Sequence, residues 1–121
     1  MIAAIILGHG SRSLKALEEV KTLASLVASS GTYERVEVAF MSINKPSFIE
    51  AAELLIKDGI KRIVVVPLFL TEGIHMIEDI PTEVKKASER HEGVELILAR
   101  NIGPDQRLVD ILLDRIKEVV S

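Results

Sequence analysis

The sequence predicts an α/β fold: one four-stranded parallel sheet, strand order 2-1-3-4, with helices on both faces. Three observations predict it. Four short apolar runs alternate with segments of helical period across the 121 residues. Two of those runs, AAIIL and IVVV, are apolar without interruption, as in strands covered on both sides. Strand and helix alternate through mostly short connections, the pattern of parallel strands joined by right-handed crossovers.

The first strand takes residues 2–7. A helix follows over 13–29, where Leu14, Leu17, Val20, Leu23, Ala24 and Val27 recur at helical spacing. The second strand covers 36–40. Ser47 and Glu50 form a capping box for the second helix, whose apolar stripe is Phe48, Ile49, Ala52, Leu55 and Ile56. Gly59 closes that helix as a C′ glycine. The third strand covers 62–66, and Pro67, which lacks a ladder donor, is expected to end it. Asp79 and Pro81 read as the N-cap and first turn of a third helix running to about residue 90. The fourth strand covers 94–99. Asp105 caps the last helix, with Leu108, Ile111, Leu112, Ile116 and Val119 on one face. These boundaries leave residues 67–79, PLFLTEGIHMIED, as a loop. Its length is far above the usual ~2–6 residues of such connections.

One domain, residues 1–121, is expected from the length. Hydrophobic residues make up 48% and charged residues 27%, an ordinary globular balance. The net charge is −3 and no stretch is strongly basic, so no nucleic-acid partner is expected. The chain has no cysteine. That excludes disulfides, thiolate metal sites and a cysteine nucleophile, and it fits a cytoplasmic setting. The opening apolar run is too short for a signal peptide and lacks its basic flank. No run reaches the ~18 apolar residues of a membrane span.

The chain has three histidines, and their positions carry the functional reading. In an open parallel sheet, ligands bind beyond the carboxyl ends of the strands, where the strand order reverses. With order 2-1-3-4 that point lies between strands one and three. His9 follows strand one, and His75 sits in the loop after strand three, so the topology directs both to one crevice. Gly8 and Gly10 flank His9 and would let the backbone turn sharply and a ligand come close. His91 precedes strand four at the opposite rim and is assigned to the solvent surface.

Neutral imidazole binds zinc, copper, iron, cobalt and nickel. Two histidines without cysteine fall short of the four ligands of a structural zinc site. They suit a metal that is delivered rather than kept, and an unoccupied imidazole can accept a proton. The segment GHGSR opens a helix, as anion-binding loops do. It lacks the Lys-Ser/Thr pair of a P-loop and does not match GxGxxG. Ser11 near His9 has no orienting acid, which argues against a hydrolase triad.

LGHGSR, Pro46-Ser47, RIVVVPLFLTEGIHMIEDIP and ARNIGPDQRLVDILLDR, in this order and spacing, resemble the small archaeal form of the CbiX sirohydrochlorin chelatases. The resemblance covers nearly the whole chain. It implies the chelatase-type α/β sandwich, as a half-size unit of the two-lobed relatives. It also implies insertion of Co²⁺ into sirohydrochlorin in cobalamin biosynthesis, with Ni²⁺ insertion or a non-catalytic metal or tetrapyrrole carrier as alternatives. The metal is then a substrate, and no permanently bound cofactor is expected. A homodimer with the tetrapyrrole between subunits is implied as well. His9 matches the family's proton acceptor and metal ligand, and His75 its second metal ligand. Leu70, Thr71, Glu72, Gly73, Ile74 and His75 match the stretch along the macrocycle, and Lys45 a substrate-contacting position. Arg12 and Ser11 are further candidates for substrate contact, and Glu72 and Glu78 for proton relay.

Overall fold

A computed structural model of the chain describes residues 2–120, with the side chains of residues 74–77 outside that description. The elements run β1 (Ala3–Gly8), α1 (Leu14–Ser29), β2 (Arg35–Phe40), α2 (Phe48–Lys57), β3 (Arg62–Pro67), α3 (Ile74–Arg90), β4 (Glu95–Leu98) and α4 (Gln106–Val119). The four strands form one sheet in the order β2-β1-β3-β4. Every pairing is parallel, with Ile6 opposite Val38 on one side and Val66 on the other. The expected class and strand order are therefore observed.

Two of the helix starts follow their local chemistry. The Ser47 side chain accepts from the Glu50 amide, and the Glu50 carboxylate accepts from the Ser47 amide at 2.9 Å. That reciprocal capping satisfies two of the amides a helix start leaves open. Asp105 caps α4 by accepting from the Arg107 amide at 2.9 Å. The Arg107 side chain and amide together hold the Asp105 carboxyl far below the usual carboxylate range. Pro67 is the last residue of β3, as expected.

The third helix departs from expectation. It starts at Ile74, not near Asp79, and its N-cap is Gly73, which makes no side-chain capping bond. Pro81 lies inside the helix rather than in its first turn. A proline there removes a ladder donor and costs about 3 kcal/mol in an ordinary helix. Burial opposes that cost: Ile80, Val84 and Ala87, at helical spacing, are 1%, 8% and 2% exposed. Next to Pro81, the Thr82 hydroxyl donates to the Glu78 carbonyl at 2.7 Å. The expected long loop therefore shrinks to residues 68–73.

The two faces of the sheet are covered unequally. On one, Ala3, Ile5 and Leu7 of β1 and Ile63 and Val65 of β3 pack with Phe48, Ala52 and Leu55 of α2 and with Ile80 of α3. The other face carries α1, whose only fully buried residue is Ala24. The last helix, α4, buries none of its residues. The apolar stripe read from the sequence is present, but Ile111, Leu112, Ile116 and Val119 remain exposed.

Candidate active site

The connections leaving the carboxyl ends of the four strands meet at one rim, and backbone bonds tie them together. His9 follows the last residue of β1. Its carbonyl accepts from the Ser42 amide at 3.0 Å and the Ser42 hydroxyl at 3.3 Å. The neighbouring Gly8 carbonyl accepts from the Met41 amide at 2.9 Å. Asn44 completes the bridge, its side-chain oxygen accepting from the Ser11 amide at 2.6 Å. The β1–α1 turn is thus fastened along the β2–α2 connection.

Gly10 is required by this fastening. Its φ is +105°, and a Cβ there would collide with the Ser42 carbonyl oxygen. Gly8 has no such requirement, since a Cβ would meet the Phe40 ring at 3.5 Å, ordinary contact. Of the two glycines around His9, only the second is needed for the turn. Ile43, in the facing loop, has φ +70°, a conformation that branched side chains rarely adopt.

His9 is exposed to solvent, and its ring rests on Phe69, with centroids 3.9 Å apart and planes tilted by 53°. Phe69 is 7% exposed, so the imidazole stands on a fixed apolar support. The Phe69 carbonyl accepts from the Ile102 amide at 3.0 Å and the Asn101 side chain at 3.4 Å. One residue therefore couples His9 to the β3–α3 and β4–α4 connections. Between those two connections lies a cleft of about 580 Å³. Leu70, Thr71 and Glu72 form one wall, with Arg100 and Asn101 opposite.

His75 is the second residue of α3, not a loop residue, and its side chain lies outside the described residues, as does that of Ile74. The backbone places it directly after the Leu70–Gly73 stretch, on the rim that carries His9. His91 is the C-cap of α3, just before β4 and at the opposite rim. It is half-buried rather than fully exposed.

The sequence profile of the CbiX family matches residues 3–119. The chain belongs to the CbiX family. It is 33% identical to the sirohydrochlorin cobaltochelatase of Methanopyrus kandleri, over all of this chain and 99% of that one. It is also 33% identical to the sirohydrochlorin ferrochelatase of Priestia megaterium, over 98% of this chain but only 44% of the relative. The sirohydrochlorin chelatase SirB of Bacillus subtilis subspecies spizizenii, solved in complex with cobalt, superposes with a TM-score of 0.91 at 29% identity. That match takes in 98% of this chain and 50% of the other.

In this CbiX chain the remaining sequence-predicted positions are spread over several places. Lys45 is on the β2–α2 connection, its side chain 86% exposed and its amine 3.8 Å from Glu50. Glu72 lines the cleft with Arg100. Glu78 lines a different cavity, between α2 and α3, with Phe48 and Lys86. Among the described residues, Glu72 and Glu78 thus line different cavities. The Ser11 hydroxyl accepts from the Ser13 amide and serves the helix start. Arg12 is exposed.

Sequence reasoning missed Phe69, Asn44 and Arg100. Asn44 had a readable signal, because SINKP is a turn-forming string in which Asn side chains bond nearby backbone. Phe69 and Arg100 had none, since their importance comes from contacts between distant segments.

Proposed function

We propose that the chain is a sirohydrochlorin cobaltochelatase, inserting Co²⁺ into the polycarboxylate tetrapyrrole as a cytoplasmic homodimer. The observation that carries this reading is the solvent-facing His9 imidazole, seated on Phe69 beside the cleft that holds Arg100. It is an open ligand on a rigid support. Family membership supports the choice of substrate.

The reaction must remove two pyrrolic protons and strip water from the metal. His9 takes the hydrated ion through its exposed imidazole, with His75 as second ligand from the start of α3. A nitrogen holding metal cannot also hold a proton, so the two tasks are ordered. The imidazole that releases the metal into the ring is then free to accept a pyrrolic proton. Glu72 stands in the cleft to relay one. Arg100 and Lys45 supply cationic contacts for substrate carboxylates, and the exposed stretch Leu70–Gly73 lies along the macrocycle. With a net charge of −3, the chain as a whole does not attract a polyanion, so these local cations must.

The ferrochelatase among the relatives makes iron the reading to test against cobalt, and imidazole ligands accept nickel equally. The test incubates purified protein with sirohydrochlorin and Co²⁺, Ni²⁺ or Fe²⁺ and follows the absorption spectrum. Faster insertion of Co²⁺ than of the other two is expected. Acceleration with none of the metals would leave only a carrier, and a clear preference for Fe²⁺ or Ni²⁺ would reassign the metal.

A further inference from the structure

Ile43, in the β2–α2 connection, is strained and unburied at once. Its φ is +70°, and among the described residues it is the one non-glycine position with positive φ. The Asn44 amide donates to the Ser42 carbonyl at 2.7 Å. A bond that spans a single residue at positive φ closes a γ-turn of the rare, strained kind. Glycine adopts such a backbone freely, whereas a β-branched side chain is a poor fit to it. Burial does not offset the strain, since Ile43 is 68% exposed and takes no part in the core.

The turn is held from both sides. Before Ile43, the Ser42 amide and hydroxyl both donate to the His9 carbonyl. After it, the Asn44 side-chain oxygen accepts from the Ser11 amide. Ile43 is therefore kept exposed between two anchors on the turn that carries His9. A strained residue persists only where its surroundings over-determine it, and such positions gather at binding sites. In the order β2-β1-β3 the His9 turn lies between the connections that follow β2 and β3. The second of these carries Leu70, which is 57% exposed. An exposed aliphatic residue thus stands on each side of the His9 turn.

We propose that Ile43 is a substrate-contacting residue, whose aliphatic side chain bears on the apolar face of the tetrapyrrole across the His9 turn from Leu70. The proposal rests on the function proposed above and adds a contact of a different chemistry. A polycarboxylate tetrapyrrole carries its charges at the rim, where cations such as Lys45 and Arg100 can meet them. Its broad faces are apolar and are held by burial against apolar side chains. Ile43 suits that task because it is already immobile. Its backbone is fixed by the two anchors, and a β-branched side chain is stiff at χ1, so little freedom is lost when the ring settles on it. A glycine in the same turn would be easier to fold and would present no surface to the macrocycle.

Folding and binding are then expected to respond in opposite directions. Ile43→Gly should raise the urea midpoint, because the strain leaves with the side chain. It should weaken binding of metal-free sirohydrochlorin, followed by its absorption change, by about tenfold, the worth of covering an aliphatic side chain in part. Binding of Co²⁺ alone, measured by calorimetry, should be unchanged. In turnover the loss should appear in KM for sirohydrochlorin, with kcat nearly kept. Ile43→Leu returns an aliphatic side chain and should recover most of the affinity, and Ile43→Ser is a second truncation should the glycine variant fail to fold. Sirohydrochlorin affinity equal to the parent's in the truncated variants would overturn the proposal. So would an equal loss in Ile43→Leu, or a matching loss of Co²⁺ binding, since either would mean that Ile43 serves the shape of the loop. A parent chain that binds no sirohydrochlorin would overturn the function proposed above and this contact with it, whereas a parent that binds beside truncations that bind equally would overturn the contact alone.

Discussion

At the scale of single residues, the pairing of His9 with Phe69 governs what the imidazole can do. The tilted Phe69 ring supports the imidazole from one side, and His9 remains exposed to solvent for an ion or a proton. His9→Ala and His75→Ala are each expected to lower metal insertion by at least a hundredfold without changing the circular dichroism spectrum, whereas His91→Ala should leave insertion within about twofold. A damaging His91 change would move the site to the other rim. Phe69→Leu keeps the volume nearly apolar but removes the ring support. It should reduce insertion with little change in melting temperature. Gly10→Ala meets both a positive φ and the Ser42 carbonyl, and its cost is about 1–3 kcal/mol, read as a lower urea midpoint. Gly8→Ala should be close to neutral by the same measurement. His9 itself was legible because it stood between glycines at a strand exit. Its support was not, since nothing near Phe69 in the chain refers to His9, sixty residues earlier. Only the parallel pairing of β1 with β3 brings them together.

At the scale of elements, local chemistry was readable where side chains close their own helix ends. Ser47 and Asp105 are caps in the sequence and in the fold. The same logic misplaced α3, because Asp79 and Pro81 form a better local start signal than Gly73 does. The helix instead runs through Asp79 back to Ile74 and keeps Pro81 in its interior, a start that capping rules do not identify. Pro81→Ala restores a backbone donor at an exposed position and should raise the urea midpoint, by up to about 3 kcal/mol of stability. In α2, the Ser47 amide holds the Glu50 carboxyl below its ordinary value. A depressed carboxyl stabilises the fold above its unfolded pKa, and that contribution is lost as pH falls through the folded value. Glu50→Gln should therefore lower the melting temperature at pH 7, and the gap to the parent chain should close as the pH is taken below about 4. A gap that is constant with pH would remove the charged capping contact from the account.

At the scale of the whole molecule, the class and the strand order followed from alternation of pattern and from chain connectivity. The distribution of the core did not. Periodicity marked apolar stripes on three of the four helices, yet it carries no information about which stripe meets a partner within the same chain. The structure puts nearly all of the closed packing on the α2–α3 face, where Leu55 is fully buried. Leu55→Ala should cost about 2–5 kcal/mol by chemical denaturation. The α4 stripe, equally clear in the sequence, buries nothing.

The unequal cover of the sheet also sets a timetable for amide hydrogen exchange. Amides of α2 and of the central strands β1 and β3 lie within the closed layer, so they should trade deuterium only when the whole fold opens. Those of α1, on the thin side, and of α4, which buries none of its residues, should trade through local openings that leave the sheet intact. The slow and fast sets would then divide by burial, and not by position along the chain.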